Sequence, residues 1–245
     1  MKTDVLSAQV VRGDALEVMR GIERETFDAI ITDPPYSSGG NSLTEKQQST
    51  ASKYTGSKHR CKIPDFEGDT LDQRSWTRWM AEILRAGKEI CKPSAVLCVF
   101  SNWRQLPALT DAIQWAGWLW RGIVVWDKSS ARPQRGRFRQ QTEYIAWSSN
   151  GPLPLDRPVP VLPGIYHVTP PTQADRRHQT EKPLGLMRDL VKICVPGGRI
   201  LDPFCGSGTT LEAAMLEGYE AMGIEYSEHF AEVARERVLE ATSQG

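Results

Sequence analysis

Apolar positions along the chain follow two periods. Short runs rich in β-branched, aromatic and other apolar residues occupy 8–12, 27–32, 95–100, 118–126, 143–147, 198–201 and 220–224, and read as strands. Between them, 15–21, 72–91, 103–116, 183–195, 209–217 and 227–242 read as helices. Within 183–195, Leu184, Met187, Leu190, Val191 and Cys194 recur at helical spacing and predict one buried stripe. Pro196-Gly197-Gly198 stops that helix, and Ser227 stands where it can cap the last one. About seven strands alternating with helices predict an α/β fold, with a mostly parallel sheet covered by helices on both faces. Residues 37–70, rich in Ser, Thr, Gly and Lys, and 149–181, rich in Pro, carry neither period. Loops of that length inside a compact domain are usually functional.

The length of 245 residues suits one catalytic domain spanning 1–245, with the two long loops inserted in it. No long apolar span and no basic-then-hydrophobic N-terminal leader is present, so the expectation is a soluble, cytoplasmic protein without membrane contact. The 5 cysteines are scattered and form no Cys-x-x-Cys pair, which argues against a disulfide framework or a zinc site. Net charge is zero, but it is unevenly spread. Lys53, Lys58 and Arg60 lie in one acid-free stretch, and Arg132, Arg135, Arg137 and Arg139 lie in another with only Asp127 close by. Basic loops on a neutral body fit a cleft that tracks phosphates. Arg135, Arg137 and Arg139 alternate as on one face of an extended segment, and Trp115, Trp118 and Trp120 fall where core packing is expected.

Two motifs carry chemistry. Asp33-Pro34-Pro35-Tyr36 closes the apolar run 27–32. An exocyclic base amine has its lone pair delocalised into the ring, so a catalyst must hold both amine hydrogens to localise that pair. A carboxylate and a proline carbonyl are suitable acceptors, and a tyrosine offers a face on which a base can stack. The second motif, 199–210, runs from an apolar strand through the turn Asp202-Pro203-Phe204-Cys205-Gly206-Ser207-Gly208 into a helix beginning at Thr209. Glycines there permit close backbone approach to a ligand, and Glu225 at the end of the next strand is placed to hold ribose hydroxyls. Leu211 replaces the third glycine of a dinucleotide fingerprint, which disfavours a nicotinamide-dependent oxidoreductase, and no Gly-Lys-Ser/Thr of a P-loop is present. Cys205 reads as structural, and His59, His167, His178 and His229 show no metal spacing.

Together these motifs resemble the DNA amino-methyltransferases acting on adenine N6 or cytosine N4, in the permuted order of that family's β group. Gly13-Asp14, Asp33 to Tyr36, Trp126-Asp127-Lys128, Glu143-Tyr144, Thr180 to Pro183, 202–210 and Gly223-Ile224-Glu225 are similar to family signatures in sequence. Several stretches also look like methyltransferases of phages and prophages. The resemblance implies a Rossmann-like S-adenosylmethionine-dependent fold and a flipped base in double-stranded DNA as substrate. It implies that Asp33 and the Pro34 carbonyl accept the amine hydrogens and that Tyr36 stacks on the base, with Pro35 completing the motif. It further implies that Asp202, Phe204, Gly206, Ser207, Gly208 and Thr209 shape the cofactor pocket. Glu225 would bind ribose, Lys182 would approach the methionine carboxylate, and Asp14 would receive the adenine amine. The acidic first residue favours adenine N6, because cytosine-N4 enzymes more often begin the tetrapeptide with serine. Homodimerisation and a cognate restriction nuclease are the partners that the resemblance brings into view. Gln179 departs from a common family proline, and the short segment 147–182 suggests that target recognition is shared with 37–70.

Overall fold

A computed structural model describes residues 7–36, 71–129, 133–170 and 181–243. The loop 37–70, with Lys53, Lys58 and Arg60, lies outside the described residues, as do Arg132 and 171–180. The elements in chain order are β1 (Ala8–Arg12), α1 (Ala15–Arg20), β2 (Phe27–Thr32), α2 (Gln73–Glu89), β3 (Cys91–Ser101), α3 (Leu106–Trp115), β4 (Leu119–Asp127) and β5 (Thr142–Ser149). They continue with β6 (Ile165–His167), α4 (Leu184–Leu190), a 3-10 turn (Val191–Ile193), β7 (Arg199–Asp202), α5 (Thr209–Leu216), β8 (Glu220–Glu225) and α6 (Glu228–Thr242).

The strands form one sheet in the order β1-β8-β7-β2-β3-β5-β4-β6. From β1 to β3 all neighbours are parallel, whereas β5 runs antiparallel to both β3 and β4. Central strands are buried on both faces, which explains their continuous apolar runs. In β3, Leu97 and Val99 face the core formed with α1, α2 and α3, while Val96, Cys98 and Phe100 face the core beneath α4, α5 and α6. The alternation is the period-two side-chain geometry of a strand. Helix α2 supplies Trp76, Met80, Ile83 and Leu84 at helical spacing to the first core, and Asp72 caps it by accepting from the backbone of Arg74 and Ser75.

The seven expected strands are present, and an eighth is added. Strand β6 has three residues in a Pro-rich stretch, too short to show a period, and is held by pairing with β4. Helix α3 starts later than the pattern indicates, because Asn102 Oδ1 accepts from the backbone of Arg104 and Gln105 and holds Trp103 in a turn. The expected helix 183–195 tightens into a 3-10 turn after Leu190, ahead of Pro196. Ser227 occupies the N-cap of α6 but makes no side-chain cap bond. Only Trp118 among the three grouped tryptophans is core, since Trp115 and Trp120 are exposed.

Candidate active site

Strands β7 and β2 are hydrogen-bonded neighbours, although the elements that follow them lead in opposite directions across the sheet: β8 lies beyond β7 on one side, and β3 beyond β2 on the other. Such a topological switch point opens a crevice at the carboxyl ends of the strands. Asp33 follows the last residue of β2, and Asp202 is the last residue of β7. Thr32 Oγ1 donates to Asp202 Oδ1 at 2.7 Å, which ties the two strand ends together across 170 positions of sequence. Asp202 also accepts from Thr210 Oγ1 at 2.5 Å and from the Phe204 backbone at 3.1 Å. Burial pushes its carboxyl up to about 6, against the pull of those donors.

Asp33 lies at the centre of a second group. Its Oδ1 accepts from the Tyr36 hydroxyl at 2.5 Å, and its Oδ2 accepts from the Lys182 ammonium. Lys182 Nζ also lies 3.5 Å from Glu143 Oε2, and Glu143 Oε1 accepts from Lys128 at 2.8 Å. The ammonium is enclosed by the rings of Tyr36, Phe100 and Trp126, at 5.8, 5.0 and 6.0 Å from their centroids. Burial disfavours the charged lysine, but Asp33 and Glu143 outweigh it and hold Lys182 above the ordinary lysine range. Burial raises the Asp33 carboxyl, with Lys182 opposing and Glu143 adding to the rise. Burial works the same way on Glu143, yet the Lys182 and Lys128 charges overcome it and hold that group below the usual glutamate range.

The glycine-rich turn lies on the other side of Asp202. Gly206 and Gly208 both adopt positive φ, 50° and 83°. A Cβ on Gly206 would meet nothing within 4 Å, whereas one on Gly208 would come within 3.1 Å of Ala234 Cα and Cβ. Gly206 therefore opens towards space that a ligand can enter, and Gly208 permits α6 to pack. Glu225 Oε2 accepts from the Gly206 backbone at 3.0 Å and Oε1 from the Ser227 backbone at 2.8 Å, so the acid at the end of β8 braces the turn. The turn, the acid and the helix that follows suit the adenosine part of a nucleoside cofactor. Asp14 is exposed, and it caps α1 by accepting from the Glu17 backbone at 3.0 Å.

The structure thus brings together Asp33, Tyr36, Lys182, Asp202 and the glycine turn. Lys182 points to Asp33, on the acceptor side. Sequence reasoning does not single out Glu143, Thr32, Thr210 or Trp76 as site residues, although Glu143 and Thr210 lie within the signatures Glu143-Tyr144 and 202–210. Buried Arg237 on α6 also escaped notice. It pairs with Glu181 at 2.6 Å, donates to Thr209 and lies 3.4 Å from Glu212, joining the segment before Lys182 to the start of α5. Cys205 is buried against the Gly223 backbone, and burial holds its thiol well above its usual range, as for an inert structural cysteine. Arg135, Arg137 and Arg139 are exposed, but they do not share an extended face. The chain turns at Gly136, φ 75°, with the Arg137 backbone donating to Gln134 at 3.2 Å. Among the described residues no cluster of three or more metal-binding side chains occurs, and no helix is long and apolar enough to cross a membrane.

Known proteins are similar to this chain in sequence and in fold. Type II methyltransferase M.SmaI of Serratia marcescens is 27% identical over 282 residues, covering 98% of this chain and 93% of its own length. Among solved structures, the M1.HpyAVI–SAM complex superposes with a TM-score of 0.66 at 21% identity, covering 95% of this chain and 99% of the other. The cytosine-N4-specific PvuII DNA methyltransferase superposes with a TM-score of 0.70 at 15% identity, covering 97% and 92%. These likenesses show a Rossmann-like methyltransferase fold. A family model described as DNA methylase matches residues 27–159 and 160–236. Because that match takes in the strand leading to Asp33, the strand leading to Asp202 and all that lies between, the chain belongs to the DNA methylase family of N6 and N4 methyltransferases.

Proposed function

We propose that the chain is a site-specific DNA methyltransferase that transfers a methyl group from S-adenosylmethionine to adenine N6 of a base turned out of the duplex. The carrying observation is that the acceptor carboxylate Asp33 and the glycine turn begun by Asp202 stand side by side, joined through Thr32. When bound, S-adenosylmethionine supplies an electrophilic methyl group on a sulfonium. Gly206, Ser207, Gly208, Thr209, Phe204 and Asp202 would hold it, with Glu225 at the ribose, Asp14 at the adenine and Lys182, whose ammonium also bonds Asp33, shared between the acceptor and the methionine end. Turning the base out costs about a few kcal/mol, and positioning in a water-poor site offsets it.

Asp33 starts with both oxygens filled, one by Tyr36 and one by Lys182. An amine hydrogen that takes Oδ1 replaces the tyrosine hydroxyl and frees that ring to stack on the base. The Pro34 carbonyl takes the second hydrogen. Methylation leaves the amine with one proton too many, and Asp33, whose burial raises its proton affinity, is within reach to receive it. Residues 37–70, 149–181 and the exposed Arg135, Arg137 and Arg139 would track phosphates around a single catalytic domain. We assign the enzyme to the cytoplasm, as an orphan or beside a restriction nuclease.

Asp33→Ala is expected to abolish methyl transfer to DNA while S-adenosylmethionine binding, measured by calorimetry, persists. Full activity in that variant would remove the reading. Mass spectrometry of DNA from expressing cells is expected to find N6-methyladenine. If N4-methylcytosine alone appeared, the acceptor would be cytosine, which the likeness to the PvuII enzyme keeps as the second reading.

A further inference from the structure

The acceptor motif is gripped from outside as well as from within. Trp76, fully buried on α2, donates its indole Nε1–H to the Pro35 carbonyl at 2.7 Å across 41 positions of sequence. One turn further along α2, Trp79 lies 6.3 Å from the Trp76 ring and 5.5 Å from the ring of Phe204, centroid to centroid. Phe204 belongs to the turn begun by Asp202. A single helix face therefore touches the acceptor motif at Pro35 and the cofactor turn at Phe204.

Proline rings fix φ at Pro34 and Pro35, so the remaining freedom of the motif lies in ψ. Holding the Pro35 carbonyl sets ψ at that residue, and with it the direction in which Tyr36 leaves. The Tyr36 hydroxyl then returns to Asp33 and closes the loop. Indole nitrogen is a donor only, so the bond runs in one direction, from Trp76 to the Pro35 carbonyl. We infer that Trp76 is a positioning residue for methyl transfer, fixing the Asp-Pro-Pro-Tyr acceptor through the Pro35 carbonyl and, through Trp79 and Phe204, holding it in register with the cofactor turn. The inference rests on the methyltransferase reading above.

Trp76→Phe removes the donor and keeps an apolar ring. At saturating DNA and S-adenosylmethionine, well below the melting temperature, kcat is expected to fall about tenfold, as for a small misplacement of reacting groups. The calorimetric Kd for S-adenosylmethionine should stay within about twofold, because the glycine turn is untouched. A purely structural tryptophan would instead lower the folded fraction, and binding stoichiometry and activity would fall together. Independently of activity, the 15N indole resonance lost in Trp76→Phe should belong to the slowly exchanging indole N–H groups of the wild type, with those of Trp118 and Trp126. If Trp76→Phe does not fold, benzothienylalanine at position 76, which replaces the N–H with sulfur in the same outline, takes its place. Unchanged kcat in either variant, or a fast-exchanging Trp76 indole, overturns the inference while leaving the methyltransferase reading intact. A wild type that methylates no DNA overturns both.

Discussion

Replacing Lys182 with Met keeps the length and apolar packing of the side chain and deletes only the charge. The Lys182 side chain is 8% exposed, and the side chains of Asp33 and Glu143 are 23% and 17% exposed, so solvent screens the group weakly. At the 3.5 Å separation of Lys182 and Glu143, Coulomb attraction at an effective dielectric of 20 amounts to about 5 kcal/mol. Desolvation offsets much of that in the intact pair, but removing one partner leaves buried charge uncompensated, at a net cost of about 3–5 kcal/mol. In a chain of this size that corresponds to a melting temperature lower by about 10 °C at pH near 8.

The sign of its pH dependence tests the cause. Without Lys182, Asp33 and Glu143 face each other as like charges, so one of them binds a proton more tightly in the folded state than in the unfolded chain. A carboxyl with raised folded-state pKa contributes stability at low pH, and that contribution is lost as pH rises through the raised pKa. The deficit of Lys182→Met against wild type should therefore shrink by half or more between about pH 8 and about pH 5. Thermal melts of both proteins across that range measure it. A deficit of the same size at every pH would refute the charge argument and assign the loss to packing. The acid limb of DNA methylation by the variant, if any activity remains, should move to higher pH, since Asp33 must ionise to accept the amine.

Gly206→Ala and Gly208→Ala should separate ligand space from fold: the first costs about 1 kcal/mol of stability but weakens S-adenosylmethionine binding in calorimetry, and the second costs about 2–3 kcal/mol in denaturant melts because Ala234 crowds it. Carbon-13 titration of the Asp202 carboxyl should show a midpoint of about 6, and Thr210→Val, by deleting a donor to the ionised form, should raise it by about one unit. Arg237→Met should lower stability by about 3 kcal/mol, since the partly buried Glu181 and Glu212 then lose their shared, buried cation.

What could be read from the sequence has a physical explanation. Strands β2, β7 and β8 are buried runs that end in a carboxylate or lead directly to one, so Asp33, Asp202 and Glu225 stand out against their apolar surroundings. The glycine turn is local, and its positive φ values are a property of residues adjacent in the chain. Glu143 sits inside an ordinary half-polar strand, and its role arises only when Lys182, 39 positions later by residue number, is folded against it. The Trp76–Pro35 bond is equally invisible, because a tryptophan on the apolar face of a helix looks like core, which Trp76 also is. Strand β6 exists only through its pairing with β4. Alternation of Arg135, Arg137 and Arg139 suggested an extended segment, but Gly136 takes a left-handed conformation that turns the chain there.

The charges at the switch point also bear on which cofactor fits. Asp33, Asp202 and Glu143 converge on one end of the sheet, and Asp33 adds to the rise in the Asp202 pKa, so the two acids repel each other. Lys182 compensates Asp33 and Glu143, while Asp202 relies on two hydroxyls and one backbone N–H. A ligand that brings a positive centre between the strand ends relieves this repulsion, and one that brings a pyrophosphate increases it. A sulfonium donor facing a neutral base amine meets the first condition. A dinucleotide with its phosphates at the same turn would meet Asp202 as a like charge, which gives the absence of a third glycine at Leu211 an electrostatic counterpart. The permuted order of the motifs does not affect this balance, because it depends only on β2 and β7 ending side by side.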